Sequence, residues 1–232
     1  MNQPRRLVWD LPLRMFHWLF AASILASWAT AEAGFNWMKV HMRLGYFMIG
    51  LLCFRLIWGF IGPRHARFGN FLASPTRVWR YFQGLIGRSE AIHTVGHNPL
   101  GGLMVVLMLL LVMLQVTTGL FSTDDIAWTG PYYGAVSDST AQKLTAIHHL
   151  NFNFILAAIV LHLCAIGYYA LVKKQNLVPA MWTGHKHADA VPADEAITHS
   201  HLLKALAVIA VAALAVFLVL HFAPPAAAPS TD

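Results

Sequence analysis

The sequence predicts an all-α integral membrane protein, on the evidence of its composition and its apolar segments. Of its 232 residues, 57% are hydrophobic and only 11% are charged, whereas about 25% are charged in an average soluble domain. The mean hydropathy is +0.56. Five apolar segments each approach the length that a membrane-spanning helix needs, and they cover residues 15–31, 44–62, 99–121, 147–172 and 202–222. We therefore expect five transmembrane helices.

Each segment has features that suit a spanning helix. The first carries no charge, and we expect it to be retained because no clear cleavage site of small residues follows it. The second is interrupted only by Arg55, and the third starts at Pro99, a residue favoured at the first position of a helix. The fourth contains paired and single histidines. The fifth is rich in Ala, Val and Leu and is interrupted only by Lys204.

The lysines and arginines predict the orientation of these helices. Thirteen of the sixteen fall before the first segment, at the end of the second or in the loop after it, and between the fourth and fifth. Only Lys39, Arg43 and Lys143 fall in the other loops. Because positive residues accumulate on the cytoplasmic side, we expect the N-terminus in the cytoplasm and the C-terminus in the periplasm.

The remaining composition excludes several classes of protein. The basic residues follow the expected membrane topology and are not clustered as in a nucleic-acid-binding surface. Cys53 and Cys164 lie in apolar segments without a motif for covalent c-type haem, so we interpret them as buried thiols.

The expected organisation is a four-helix domain over residues 1–175, a cytoplasmic loop over 176–200, a fifth helix over 201–222 and a disordered tail over 223–232.

Histidines mark the fourth segment as the centre of the functional pattern, because ionisable residues inside a membrane are costly and usually functional. His148 and His162 are fourteen residues apart, which on a helix is about 40° short of four turns and roughly 21 Å of rise. They therefore share a face at two depths. His149 would lie roughly 140° from His162, so the spacing favours His148 over His149.

The predicted topology gives each of these histidines a partner at the same depth. His17 begins the first helix on the inner side, with His162, and His41 begins the second on the outer side, with His148. Zinc usually needs three or four protein ligands, whereas haem iron takes only axial ligands from the protein. The pattern favours two bis-histidine sites for b-type haem iron, and the alternative is that each histidine is an ordinary interfacial residue.

Three arginines and a further histidine are candidates for contacts with the cofactor. Arg55 lies fourteen residues after His41, and we expect it at the inner depth, where it would pair with a haem propionate. Arg14 would do the same for the inner haem and Arg43 for the outer haem, or both would extend to the lipid headgroups. His97, just before the third helix, would contact a propionate or a quinone, or would cap the helix.

The other histidines are expected in solvated inner loops; they are His93, His185, His187, His199 and His201. Gly45, Gly50 and Gly119 would allow close approach of a porphyrin or of a neighbouring helix.

Several of these motifs together resemble the bacterial membrane cytochromes b, which include the cytochrome b561 family and the b-type cytochrome subunits of nickel–iron hydrogenases. The resemblance covers roughly residues 8–175. It rests on WDLPLRMFHW at residues 9–18, His41 with Gly45 and Tyr46, RLIWG at 55–59, GHNPLG at 96–101, and the spacing of His148 and His162. The chain departs from the family's pattern at His149, where an acidic residue is common.

The resemblance implies a four-helix transmembrane bundle holding two b haems, to which this chain adds a fifth helix. It also implies electron transfer in the inner membrane between quinone or quinol and a redox partner, either a periplasmic cytochrome c or a hydrogenase-like enzyme. Quinone oxidoreductase activity and a homo-oligomer stay open. Two other functions remain alternatives: a proton or ion transporter lined by His and Arg, and a membrane anchor for a soluble redox subunit.

Overall fold

The computed structural model describes residues 4–88 and 94–224, which form a predominantly helical fold. The all-α prediction is confirmed. Two short strands, β1 (Arg5–Leu7) and β2 (His185–His187), accompany the helices. The helices are α1 (Leu11–Glu32), α2 (Met38–Ile61), α3 (Phe68–Phe71), α4 (Pro75–Leu85), α5 (Pro99–Gly119), α6 (Asp138–Leu171), α7 (Val178–Thr183) and α8 (Leu202–His221). His93 and nearly all of the expected tail lie outside the described residues.

Four helical segments in the described part of the chain are long and apolar enough to cross a membrane: Phe35–Ile61, Pro99–Gly119, Asp138–Leu171 and Leu202–His221. The sequence predicted five. Helix α1 has 22 residues but is not among the four, because Arg14, His17 and Glu32 reduce its hydropathy. The chain is therefore a multi-pass membrane protein with four clearly apolar spans and one more polar long helix.

Helix α6 is longer than its apolar segment. It begins at Asp138, nine residues before the predicted start, and has 34 residues. At 1.5 Å per residue it is about 51 Å long, so it extends beyond the ~30 Å hydrocarbon core of a bilayer. The sequence prediction missed this extension because the first turns of α6 are polar.

Two compact units divide the chain, and several long helices contribute to both. Unit 1 comprises Met1–Trp18, Arg55–Met108 and Ala158–Val208. Unit 2 comprises Leu19–Phe54, Leu109–Ala157 and Ile209–Asp232. Helix α8 packs in both units: Lys204 donates to the Ile61 carbonyl in unit 1, and a Cβ on Gly50 would lie 3.4 Å from Val216 in unit 2.

A two-stranded sheet fixes the N-terminal segment within unit 1. Strands β1 and β2 are antiparallel, with Arg6 opposite Lys186. The chain continues from β1 with Val8 and Trp9, whose amides donate to the Gly184 carbonyl at 2.8 and 3.0 Å. Sequence reasoning did not anticipate this sheet, because each strand has three residues and its partner is far away in the chain.

Asp10 connects the start of α1 to α2 in the core of unit 1. Its side chain is 1% exposed. One carboxylate oxygen, Oδ1, accepts from the Leu13 amide at 2.9 Å and from Trp58 Nε1 at 3.0 Å. Asp10 is therefore the N-cap of α1, and it also satisfies the indole N–H of a fully buried tryptophan.

Replacing Asp10 with Ala should lower the thermal stability of the detergent-solubilised protein. The change leaves the Leu13 amide and the Trp58 indole N–H without their acceptor, a loss of about 1–3 kcal/mol in the free energy of unfolding. Asp10→Asn keeps an acceptor oxygen and should cost less. Asp194→Ala, at an exposed position, is the control. Equal melting temperatures for Asp10→Ala and the control would contradict this role.

Candidate metal centres

The four predicted histidine ligands lie in two pairs, one in each unit. In unit 1, His17 of α1 faces His162 of α6, with ring centroids 6.5 Å apart and planes inclined at 52°. In unit 2, His41 of α2 faces His148 of α6, with centroids 6.3 Å apart and planes inclined at 78°. The structure thus brings together the pairs that the sequence predicted, and α6 contributes one histidine to each.

The spacing of both pairs fits one metal ion between two imidazole rings. A bond from imidazole nitrogen to a first-row metal is about 2.0–2.1 Å, and the ring centre lies about 1.1 Å behind that nitrogen, so two trans rings have centroids about 6.3 Å apart. No group of three or more His, Cys, Asp or Glu side chains in the described residues could hold a metal ion. The donor set of two imidazoles per site therefore suits haem iron better than a protein-ligated zinc.

Hydrogen bonds fix both imidazoles of the unit 2 pair. Nδ1 of His41 donates to the Ser27 carbonyl at 2.8 Å, and Nδ1 of His148 donates to the Gln115 carbonyl at 2.9 Å. A carbonyl only accepts, so in each ring the proton is on Nδ1 and the lone pair is on Nε2. Nε2 is therefore the nitrogen available to a metal.

His149 has a different environment from its neighbour. It is exposed, and its ring lies 6.1 Å from that of His148 in an edge-on arrangement. It lines an open pocket of about 220 Å³ together with Thr123, Asp125, Gln142, Thr145 and Ala146. The geometry therefore pairs His148, and not His149, with His41.

A glycine on α5 gives the His148 ring its space. A Cβ on Gly119 would lie 3.0 Å from Cε1 of His148 and 3.3 Å from its Nδ1. Gly119 thus allows close packing of α5 against an imidazole, whereas nothing lies within 4 Å of a Cβ on Gly45.

The surroundings of the unit 1 pair differ from these, and the same unit contains a buried cation. Nδ1 of His17 is buried without a hydrogen-bond partner among the described residues. Arg55 is 1% exposed, and its guanidinium carbon lies 4.6 Å from the centre of the Phe68 ring and 5.8 Å from that of Phe71. Both terminal nitrogens of Arg55 are buried without a hydrogen-bond partner in the described chain, and the charge that Arg55 interacts with electrostatically is the Asp10 carboxylate. The two nitrogens still lack acceptors, and a carboxylate that binds them directly would match the guanidinium in charge and shape.

His97 lies in the same unit, between aromatic rings. Its ring centroid is 4.7 Å from those of Trp9 and Phe71, and its Nδ1 is enclosed without a partner in the described chain. Burial, and then the positive charge of Arg55, lower the pKa of His97 to about 3, so the ring is neutral at pH 7. His97 is not the cap of α5, because Asn98 Oδ1 accepts from the Gly101 amide at 2.7 Å.

The two remaining predicted arginines differ in their contacts. Arg14 donates through a terminal nitrogen to the Trp182 carbonyl, while its Nε is buried without a partner among the described residues. Arg43 is exposed on α2. Of the predicted propionate partners, Arg55 therefore has the clearest unsatisfied hydrogen-bonding capacity.

The sequence interpretation missed a polar network around His148. Asn151 Nδ2 donates to the Leu111 carbonyl at 2.8 Å and to Gln115 Oε1 at 2.7 Å, and Thr118 Oγ1 lies 3.2 Å from His148 Nδ1. Gln115, Thr118 and Asn151 are polar residues inside apolar segments. The cost of placing such residues in a membrane was the signal that would have identified them.

Comparison with known proteins gives a consistent family. Residues 8–184 match the family described as prokaryotic cytochrome b561. A probable Ni/Fe-hydrogenase B-type cytochrome subunit of Rhodobacter capsulatus is 24% identical over 77% of this chain and 80% of the relative. Its counterpart in Rhizobium leguminosarum bv. viciae is 26% identical over 77% of this chain and 87% of the relative. No solved structure matches. The chain belongs to the prokaryotic cytochrome b561 family, and its function is membrane electron transfer through b-type haem.

Proposed function

We propose that this protein transfers electrons across the bacterial inner membrane through two b haems. His17 and His162 would ligate one iron, and His41 and His148 the other. The observation that carries the proposal is the spacing of the two pairs, 6.5 and 6.3 Å between ring centroids, which each fit one iron between two imidazoles. Helix α6 supplies one histidine to each pair.

Bound haem supplies a one-electron carrier that undergoes no bond making or breaking. The two imidazoles of each pair would hold the iron and leave no ligand position free, which favours electron transfer over oxygen chemistry. Arg55 would pair with a propionate of a haem held by His17 and His162. Arg14 would offer its Nε–H as a further hydrogen-bond donor near the same haem. Arg43 is exposed and is better suited to lipid headgroups than to a propionate.

The orientation follows from the distribution of basic residues. With α1 crossing the membrane in addition to the four apolar spans, the N-terminus is cytoplasmic and the C-terminus periplasmic. His17 and His162 then lie toward the cytoplasm, and His41 and His148 toward the periplasm. The two haems would therefore lie toward opposite sides of the membrane.

The names of the relatives favour a hydrogenase-like enzyme as the redox partner, with quinone as the other electron carrier. Neutral His97 is suited to a hydrogen bond with a quinone carbonyl or a propionate. A periplasmic cytochrome c that docks on the acidic loop between α5 and α6 is the alternative partner. Asp124 there accepts from three backbone amides, and Asp138 accepts from the Tyr133 hydroxyl. These hydrogen bonds hold the loop in shape and leave the carboxylates charged.

Single histidine variants test the ligand assignment. Alanine at His17 or His162 should remove one haem, and alanine at His41 or His148 should remove the other, because one imidazole does not complete bis-histidine ligation. The haem content of purified protein, measured as the pyridine haemochrome, should fall from about two to about one per chain. His149→Ala should keep both haems. Loss of a haem in His149→Ala with retention in His148→Ala would show that the pairing is misassigned.

Arg55→Gln tests the propionate contact. Loss of a charge-assisted hydrogen bond of about 1.5–3 kcal/mol should weaken haem binding at the His17–His162 site by tenfold or more. The measurement is the rate at which apomyoglobin extracts haem from the purified protein. Arg55→Lys keeps the charge and should show a smaller effect, and Arg77→Gln, at an exposed position of α4, is the control. Equal extraction rates in all variants would remove Arg55 from the site.

Gly119→Ala tests the space beside His148. The added methyl group would push the imidazole away from its Gln115 acceptor, so the variant should lose or weaken only the haem of the His41–His148 pair. Absorbance and haem content report the change. Gly167→Ala on α6, where nothing lies within 4 Å of the added carbon, should leave both haems in place. A normal haem spectrum in Gly119→Ala would contradict the packing argument.

A further inference from the structure

Thr118 lies beside both atoms of the hydrogen bond that orients the His148 ring. Its side chain is 2% exposed, and its hydroxyl donates to the Leu114 carbonyl at 2.8 Å and lies 3.0 Å from the Gln115 carbonyl. The Gln115 carbonyl is the acceptor for His148 Nδ1 at 2.9 Å. Thr118 Oγ1 itself lies 3.2 Å from that nitrogen, so the imidazole N–H has two acceptors.

Thr30 repeats this arrangement for the other imidazole of the pair. It is buried on α1, and its hydroxyl donates to the Ala26 carbonyl at 2.8 Å and lies 3.0 Å from the Ser27 carbonyl. The Ser27 carbonyl accepts from His41 Nδ1 at 2.8 Å. In both helices the acceptor for histidine is thus the carbonyl three residues before a buried threonine. Two independent helices with the same geometry argue against coincidence.

The threonines have a physical role in presenting these carbonyls. A helical carbonyl uses one lone pair in the helix and keeps a second. A threonine hydroxyl that bonds back to the preceding turn bends the helix locally, and the tilted carbonyl presents its second lone pair to a side chain from another helix. The histidine N–H satisfies it, and the ring is held with Nε2 directed away from the acceptor.

A hydrogen-bonded Nδ1 also changes the ligand electronically. It makes Nε2 more basic, and a more basic axial ligand stabilises the oxidised iron, so the reduction potential falls. His17 has no such partner among the described residues, and the buried Arg55 cation favours the reduced state in its unit. Both differences act in the same direction, toward a lower potential at the His41–His148 site.

We propose that Thr30 and Thr118 are positioning residues that orient His41 and His148 through helix carbonyls, and that they give the haem of this pair the lower reduction potential of the two. The inference rests on the proposed function, because it requires both haems. It deepens that function by assigning a direction to the difference in potential between two sites with the same ligands.

An anaerobic redox titration of the purified holoprotein, followed at the α-band, tests this inference. Wild type should show two components, and His148→Ala should lack the lower one. Thr118→Val should raise only the lower potential. At the original midpoint, the ratio of oxidised to reduced haem should fall about threefold, which corresponds to a shift of about 28 mV at 59 mV per decade. The low-spin ferric signal of that haem should change in electron paramagnetic resonance.

Three further variants make the result specific. Thr118→Ser restores the hydroxyl and should return the potential toward wild type, and Thr30→Val should shift the same component as Thr118→Val. Thr117→Val is the matched control on the same helix and should shift neither component. If Thr118→Val loses the haem, Thr118→Ser and Thr30→Val still test the proposal.

The possible failures are distinguishable. Protein with two haems whose midpoints and resonance signals are the same in wild type, Thr118→Val and Thr30→Val would overturn this inference and leave the proposed function standing. Loss of the higher component in His148→Ala would overturn the assigned order. Wild-type protein without haem would instead overturn the proposed function.

Discussion

Both candidate sites depend on one interaction, in which imidazole rings from two different helices face each other. A histidine among apolar side chains is costly unless its ring nitrogens have partners. In unit 2, a helix carbonyl accepts from Nδ1 of His41 and another from Nδ1 of His148, and in the proposed function the two Nε2 atoms would bind a shared metal. Helix α6 has to present one histidine to each pair, and a spacing near four helical turns allows this on one face.

The residues that surround the histidine pair differ between the two units. The unit 2 pair is held by backbone carbonyls, a threonine on each of two helices and the Gln115–Asn151 hydrogen bond. The unit 1 pair is accompanied by a buried guanidinium and by His97 among aromatic rings. Two haems with identical ligands can differ in reduction potential, because hydrogen bonds to the ligands and nearby charges change the potential of the iron.

The sequence was sufficient for the helical fold and the pairing of the histidines, because apolar length and helical spacing are local properties. It also favoured His148 over His149 and singled out Arg55, and both stay predictions. It did not predict the sheet between Arg5–Leu7 and His185–His187, nor the roles of Asp10 and Thr118, since each depends on contact with a distant segment. It overestimated the apolar character of α1, where Arg14 and His17 offset an otherwise apolar helix.

The central claim is that two bis-histidine b haems are bound by one chain. The most direct measurement is the haem-to-protein ratio of the purified full-length protein, with its reduced-minus-oxidised spectrum recorded on the same sample. We expect a red protein with about two b haems per chain, both low-spin. A colourless protein, or one whose haem content does not exceed one per chain after haem supplementation, would contradict it.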